Sequence, residues 1–116
     1  MLFTQLIQAN LTTQILGRSI EHYAVTESTS SEAQILAANG APEGTIVTTD
    51  NQTSGRGRHG RSWFCGTGKD LTFSIILRPG SDGKSAGLLP LLAGVAVAEA
   101  LEQFNLQPTL KWPNDI

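Results

Sequence analysis

The sequence predicts an α/β (α+β) fold, a mixed sheet with helices packed on it. Two observations lead there. Short β-branched or alternating runs and two helical runs follow one another in the order β-α-β-β-α-β. The 116 residues, 40 % hydrophobic and 16 % charged, have the composition of one soluble globular domain.

Leu2, Phe3, Leu6 and Ile7 have helical spacing, so residues 1–19 are expected to form a short helix or an extended arm. Ile20 to Thr26 alternates, with Tyr23 and Val25 on one face, and reads as a strand. Thr29-Ser30-Ser31-Glu32 then fits a capping box with Thr29 as the cap, opening a helix that runs to about Asn39 and closes at Gly40. Thr45 to Thr49 is β-branched throughout and makes a second strand. Asp50 to Lys69 has no hydrophobic period and is rich in glycine, which predicts a long loop. Leu71, Phe73, Ile75 and Leu77 alternate in a third strand ended by Pro79-Gly80. Ala86 to Phe104 reads as a buried helix, with Pro90 tolerated in its first turn. Gln107 to Trp112 is expected as a fourth strand, followed by a turn at Pro113-Asn114-Asp115.

Formal net charge is −2, so no global field favours nucleic acid. The distribution is more informative: Arg56, Arg58, Arg61 and Lys69, half of the eight basic residues, lie between Asn51 and Lys69, where no acidic residue occurs. A single cysteine, Cys65, excludes an internal disulfide and fits a reducing compartment. Met1 to Gln5 lacks the start of a signal peptide and no run is long enough to span a bilayer, so a cytoplasmic location without membrane contact is expected.

The stretch Gly55 to Trp63, "GRGRHGRSW", satisfies G-x-G-x-x-G. A dinucleotide fingerprint must open a helix, whereas "RSWFCGTGKDLTFSI" leads into a strand, so that reading fails. A P-loop fails too: its first glycine would fall on Trp63, and Asp70 stands where serine or threonine belongs. What remains is physical. Glycine lets backbone amides approach an anion, and arginine forks bind phosphate or carboxylate through paired hydrogen bonds. Trp63 suits a flat ring. Such a loop carries little apolar surface to offset its ordering entropy, so it is expected to order around a charged, ring-bearing ligand.

"GRGRHGRSW", preceded by "ESTSSEA" at a strand-to-helix junction and followed about fifty residues later by "KWPNDI", resembles the catalytic domain of biotin protein ligases. The likeness runs from about Tyr23 to Ile116. The resemblance implies the biotin and lipoate ligase fold, related to class II aminoacyl-tRNA synthetases, with residues 20–116 as the N-terminal half of the catalytic domain. It implies a two-step activity: biotin and ATP, with Mg²⁺ bound through the nucleotide, give biotinyl-5′-adenylate and pyrophosphate. A lysine of a biotin carboxyl carrier protein then takes the biotin as an amide. Two anions must meet in the first step, so catalysis is mainly positioning and charge neutralisation.

By the same resemblance, Ser28, Thr29 and Ser30 fall on biotin-contacting positions, although Thr29 also reads as a helix cap, and Gln52 falls on a biotin-binding glutamine. Gly55, Arg56, Gly57 and Arg58 match the segment that closes over biotin and adenylate, with Arg56 and Arg58 as the catalytic pair. His59 matches a second basic position and equally fits an exposed loop histidine. Arg61 and Trp63 match phosphate-holding and adenine-side positions, and Trp63 equally fits a loop anchor. Lys111, Asn114 and Asp115 match nucleotide-side positions, Asp115 also serving the turn, while Trp112 is expected in the core. Cys65 and His22 read as structural, and no metal-ligand spacing is present.

Glu27 stands where the family commonly has aspartate, and Ser30 where it commonly has asparagine. The family's essential lysine lies beyond the turn that ends this sequence, so the resemblance implies that these residues alone are not a competent ligase. About twenty residues precede the first matched strand, so no winged helix and no repressor role is expected. The parent is a candidate homodimer. A biotin- or anion-binding module without turnover, and a lipoate ligase relative, are the alternative readings.

Overall fold

The computed structural model describes residues 4–80 and 85–116. They form two compact units, Met1–Arg78 and Pro79–Ile116, each described by itself.

The first unit opens with helix α1 (Thr4–Asn10); Leu2 and Phe3 of the N-terminal pattern lie outside the described residues. Strand β1 (Ile20–Thr26) is followed by helix α2 (Thr29–Ala38) and strand β2 (Ile46–Gln52). The two strands are parallel, with Ile20 opposite Ile46 and Thr26 opposite Gln52. Parallel neighbours need a crossover, and α2 supplies it. Strand β5 (Thr72–Ile75) lies antiparallel to β2, with Val47 opposite Ser74, which gives the mixed sheet β1-β2-β5.

The core is small. Ala33, Val47 and Ile76 are its buried members, with Tyr23, Leu36, Ala37 and Ala41 packed against them. Val47 and Ser74 share the face turned to α2, so Phe73 and Ile75 point the other way and are exposed. Hydroxyls complete the interior: Thr26, Ser28, Thr29, Thr45, Thr48 and Thr49 are all buried. Every buried side-chain N or O among the described residues has a partner. Thr45 Oγ1 donates to the Pro42 carbonyl at 2.7 Å, and Thr48 Oγ1 lies 2.6 Å from His22 Nδ1, whose Nε2 is 3.3 Å from Asp50. His22 and Asp50 thus tie β1 to β2. Cys65, also buried, lies 3.2 Å from the Thr72 hydroxyl.

Helix α2 closes as its sequence indicates. Gly40 has φ +88°, its amide donates to Ala37 O at 3.2 Å, and the Ala41 amide donates to Leu36 O at 3.0 Å, a Schellman ending. The Arg78 guanidinium adds donors to the carbonyls of Ala37 and Ala41.

Three expectations need correction in this unit. The helix cap is Ser28, whose hydroxyl accepts from the Ser31 amide at 3.3 Å; Thr29 is the first helical residue, and Glu32 accepts from Thr26 Oγ1 at 3.1 Å instead of reaching back to the cap. Strand β2 extends to Gln52, because Asn51 and Gln52 find ladder partners in Val25 and Thr26. The remaining glycine-rich segment is not an unbroken loop: β3 (Gly55–Arg56) pairs antiparallel with β4 (Ser62–Trp63) around a turn at Arg58–Gly60.

In the second unit, a 3₁₀ turn (Ser85–Leu88) leads into α3 (Leu89–Glu102), with Pro90 in the first turn, where no amide is needed. The helix was expected to be buried; among the described residues only Ala98 is, and Leu92, Val95 and Val97 are exposed. An apolar run marks a helix without saying what covers it. Gln107 to Trp112 is not a strand. Pro108 has no amide to give a ladder, and the backbone instead pairs locally, Lys111 N to Asp115 O at 2.8 Å and Asp115 N to Lys111 O at 3.0 Å. Leu110 and Trp112 line a groove of about 200 Å³ beside Leu91 and Gly94 of α3. Trp112, expected in the core, is 78 % exposed.

Gly44 gives a sharp test of the first unit. Its φ is +89°, its amide donates to Ile76 O at 2.7 Å, and a Cβ there would overlap the Ile15 carbonyl. Gly44→Ala is expected to lower unfolding stability by about 3 kcal/mol or more. Gly40→Ala, at φ +88° with nothing within 4 Å of the added atom, should lose only about 1 kcal/mol. Urea unfolding of the two variants checks the difference.

Candidate functional site at the α2 N-terminus and the arginine hairpin

The site begins where β1 turns into α2. A helix leaves its first amides without partners. Here Ser28 takes the amide of Ser31, and the Gln52 side chain takes that of Thr29, with Oε1 accepting from Thr29 N at 2.8 Å and from Thr29 Oγ1 at 3.3 Å. Both residues are buried, Ser28 at 5 % exposure and Thr29 at 3 %. Ser74 of β5 lies 2.8 Å from the Thr29 hydroxyl and 3.4 Å from that of Ser30. Tyr23 packs against the Ala33–Val47–Ile76 core, and its phenol pKa is raised above the usual tyrosine range by burial first, then by the carboxylates of Glu32 and Glu21.

The chain leaving β2 is tied to the same junction: Thr53 N donates to Thr26 O at 2.9 Å and Ser54 N to Glu27 O at 2.7 Å. That anchors the β3–β4 hairpin. A Cβ on Gly55 would lie 2.5 Å from Gln52 Nε2 and overlap the Trp63 carbonyl, so only glycine fits between the glutamine and the opposite strand. Arg56 reaches back across the junction and donates to Ser31 Oγ at 3.0 Å. At the hairpin tip Gly57 N donates to Arg61 O at 2.7 Å and Arg61 N to Arg58 O at 3.2 Å, with His59 in the left-handed region at φ 58°. Arg58, His59 and Arg61 are all exposed. Trp63 is 61 % exposed and, with Gln52, Gly55, Phe64 and Cys65, lines an open cleft of about 600 Å³.

The structure therefore brings together Ser28, Thr29, Ser30, Gln52, Gly55 and Arg56. It sets Gly57, Arg58, His59, Arg61 and Trp63 on the hairpin that continues from them. Lys111, Asn114 and Asp115 belong to the second unit, where the Lys111–Asp115 backbone pair closes the turn around Asn114. Ser31 and Ser74 were not anticipated. The signal for Ser74 was present: in "LTFSI" the apolar residues alternate with Thr72 and Ser74, and the hydroxyl-bearing face is the one turned to α2.

Chemically this is a site for a ligand with oxygen acceptors and negative charge. The N-terminus of a ten-residue helix is the positive end of its dipole. The adjoining hairpin adds three guanidinium groups, and Trp63 an open aromatic face. A hydroxyl- and glutamine-lined helix start under an arginine-glycine hairpin, on a mixed α/β sheet, defines a ligand-binding α/β domain of the carboxylate- or phosphate-handling kind. The chain belongs to the biotin/lipoate A/B protein ligase family, whose model matches residues 23–116.

It is 42 % identical over 111 residues to the bifunctional ligase/repressor BirA of Bacillus subtilis, covering 95 % of this chain and 34 % of that one. It is 34 % identical to the biotin–[acetyl-CoA-carboxylase] ligase of Mycobacterium tuberculosis, over 94 % of this chain and 45 % of that one. This chain thus spans less than half the length of these relatives. Among solved structures, the biotin protein ligase from Aquifex aeolicus in complex with biotin and ATP superposes with a TM-score of 0.70 at 36 % identity, covering 84 % of this chain and 40 % of that one. The biotin acetyl coenzyme A carboxylase synthetase from Helicobacter pylori with bound biotinylated ATP gives 0.65 at 28 %, covering 84 % and 47 %.

Gly55→Ala tests the packing of the hairpin against Gln52. The variant is expected to keep the circular dichroism of the helices and to lose at least tenfold in affinity for the site's ligand, measured by calorimetry, because the added methyl displaces either the Gln52 amide or β4.

Proposed function

We propose that this chain carries the biotin-binding and hairpin part of a biotin protein ligase, with residues 1–19 as an N-terminal helix or arm and 20–116 as the N-terminal half of its catalytic domain. The observation that carries the reading is the junction itself: at the start of α2, Thr29 is bonded to Gln52 from 23 positions away, while Ser31 is bonded to Ser28 and to Arg56 from 25 positions away. In this reading the polar cluster holds the ureido head of biotin, and the hairpin faces its carboxylate.

The activation step forms a bond between a biotin carboxylate oxygen and the α-phosphorus of ATP and breaks the α–β phosphoanhydride, releasing pyrophosphate. Both reactants are anionic, so Arg56 and Arg58 act by neutralising charge and fixing approach, the kind of contribution that preorganised cations make. Gly55 and Gly57 let the backbone close on the ligand, and Ser30 lies at the helix start beside Thr29. His59 and Arg61 hold the nucleotide phosphates, Trp63 stacks on the adenine, and Lys111, Asn114 and Asp115 serve the nucleotide side. Mg²⁺ arrives on the triphosphate; no group of three His, Cys, Asp or Glu side chains gathers among the described residues, and none is assigned to it. In the second step the amine of a carrier-protein lysine attacks the acyl carbon and AMP leaves. The carrier is a biotin carboxyl carrier protein of acetyl-CoA carboxylase or a related carboxylase.

Incubating the full-length protein with biotin and α-labelled ATP is expected to yield biotinyl-adenylate and pyrophosphate, with lipoate failing to compete. Formation of lipoyl-adenylate instead would move the protein to the lipoate branch of its family, and saturable biotin binding without pyrophosphate would leave a binding module. Arg56→Ala should slow adenylate formation by roughly 30- to 100-fold, the loss of a charge-assisted hydrogen bond. Arg58→Ala should in addition release the adenylate into solution, read by chromatography of the filtrate. Trp63→Ala should raise the KM for ATP by about tenfold and leave that for biotin unchanged.

A further inference from the structure

The hydroxyls at the α2 N-terminus are wired in one direction. Thr29 N can only donate, so the Gln52 atom 2.8 Å from it is the carbonyl oxygen, which fixes the amide orientation. That oxygen can only accept, so the Thr29 hydroxyl, 3.3 Å away, commits its proton to it. The Thr29 oxygen then accepts from Ser74, 2.8 Å away, and the Ser74 oxygen is left to accept from Ser30 at 3.4 Å. Donation therefore runs from Ser30 to Ser74 to Thr29 to Gln52. With its oxygen doubly occupied, the Gln52 amide sets Nε2 against Gly55, and Gln52, Gly55 and Trp63 all line the open cleft.

We propose that Ser74 is a positioning residue for substrate recognition: acting through Thr29, it holds Gln52 with its NH₂ group toward the cleft, so the site selects a ligand whose head group carries a hydrogen-bond acceptor. The carbonyl of a cyclic urea is such an acceptor; the dithiolane of lipoate has no oxygen or nitrogen to offer. This rests on the biotin ligase reading above and deepens it, by assigning discrimination between the family's two substrate classes to the strand opposite the helix. Without the Ser74 proton, the Thr29 hydroxyl is free to rotate away from Gln52, and the amide loses one of its two restraints. A group left without its designed partner is rejected far more strongly than a slightly misfitting apolar one, which is why the orientation of one amide can carry specificity.

The test uses the full-length protein and the variants Ser74→Ala and Ser74→Thr, the latter keeping the hydroxyl. Ser74→Ala is expected to raise the KM for biotin about tenfold in adenylate formation, with kcat and the KM for ATP unchanged, and to lower the ratio of biotin to lipoate affinity by the same factor. Ser74→Thr should restore both to within about twofold. If Ser74→Ala instead lowers kcat and raises both KM values together with a fall in the unfolding midpoint, Ser74 is a packing residue and the inference is overturned. The wiring is also read without ligand: the Gln52 side-chain NH₂ pair in a ¹⁵N spectrum should shift and broaden in Ser74→Ala and return in Ser74→Thr. Unchanged Gln52 resonances in Ser74→Ala overturn the inference whatever the ligand. If those resonances respond but the wild type makes no biotinyl-adenylate, the functional reading fails while Ser74 keeps its positioning role.

Discussion

The site depends on one side-chain carbonyl. Gln52 Oε1 stands at the end of β2 and accepts the first free amide of α2 together with the Thr29 hydroxyl. A helix start buried as Thr29 is must have its amides met, since an orphaned buried donor costs about 1–3 kcal/mol. A water-exposed start would need no such partner. By meeting it from a strand, the chain fixes the helix end against the sheet end, and the segment that follows Gln52 is thereby fixed as well. The hairpin inherits its position from that bond: Thr53 and Ser54 are held by the backbone of β1 and of the turn before α2, and Gly55 fits only because it lacks a side chain against the same glutamine.

A small interior filled with hydroxyls follows from the same constraint. The buried apolar cluster is three residues, Ala33, Val47 and Ile76, while six threonines and serines are buried around it. Hydrophobic burial of that size stabilises little by itself, and each hydroxyl must be paired to avoid a penalty. Directional pairing makes up in geometry what is lost in apolar area. Thr26 to Glu32 joins the consecutive elements β1 and α2, while Thr29 to Gln52 and Ser74, and Thr48 to His22, each join elements distant in sequence. Shifting α2 by one residue along β2 would break several of these bonds at once, so the register of helix on sheet is set by polar contacts more than by the core.

The elements legible in the sequence were those with a local cause. β1 and α2 follow from alternation and a capping pattern, the helix ending from Gly40, and the tolerance of Pro90 from the amide it lacks. What was misjudged has a non-local cause. The capping box was displaced by one residue because Thr29 is taken up by Gln52, a contact across 23 positions, which leaves Ser28 as cap. Asp50 to Gln52 read as loop because they are polar, yet β1 offers Asn51 and Gln52 ladder partners. Gln107 to Trp112 read as strand, yet Lys111 pairs with Asp115 across the turn. Of the candidate residues, the block around Ser28 was proposed from the family resemblance, and that around Arg56 from its arginine and glycine content together with the same resemblance. Ser74 was not, because a serine inside an alternating strand shows its role only once the helix is laid on it.

The arginine hairpin reverses this economy of contacts. Around Thr29 the hydroxyls and the Gln52 carbonyl are paired, whereas Arg58, His59 and Arg61 at the hairpin tip are exposed, and their side chains make no hydrogen bond or salt bridge to the described residues. Arg58 and Arg61 place two guanidinium charges on one five-residue turn, and His59 adds a left-handed backbone conformation that a non-glycine residue adopts at a cost of about 1–2 kcal/mol. Under the proposed reading a polyanionic ligand would offset that cost, its phosphate oxygens accepting from the exposed guanidinium groups. The division of labour is then physical. Under the proposed biotin ligase reading, the Gln52 amide would meet the neutral polar head of the ligand, and the exposed tip the charge that develops where carboxylate meets phosphate.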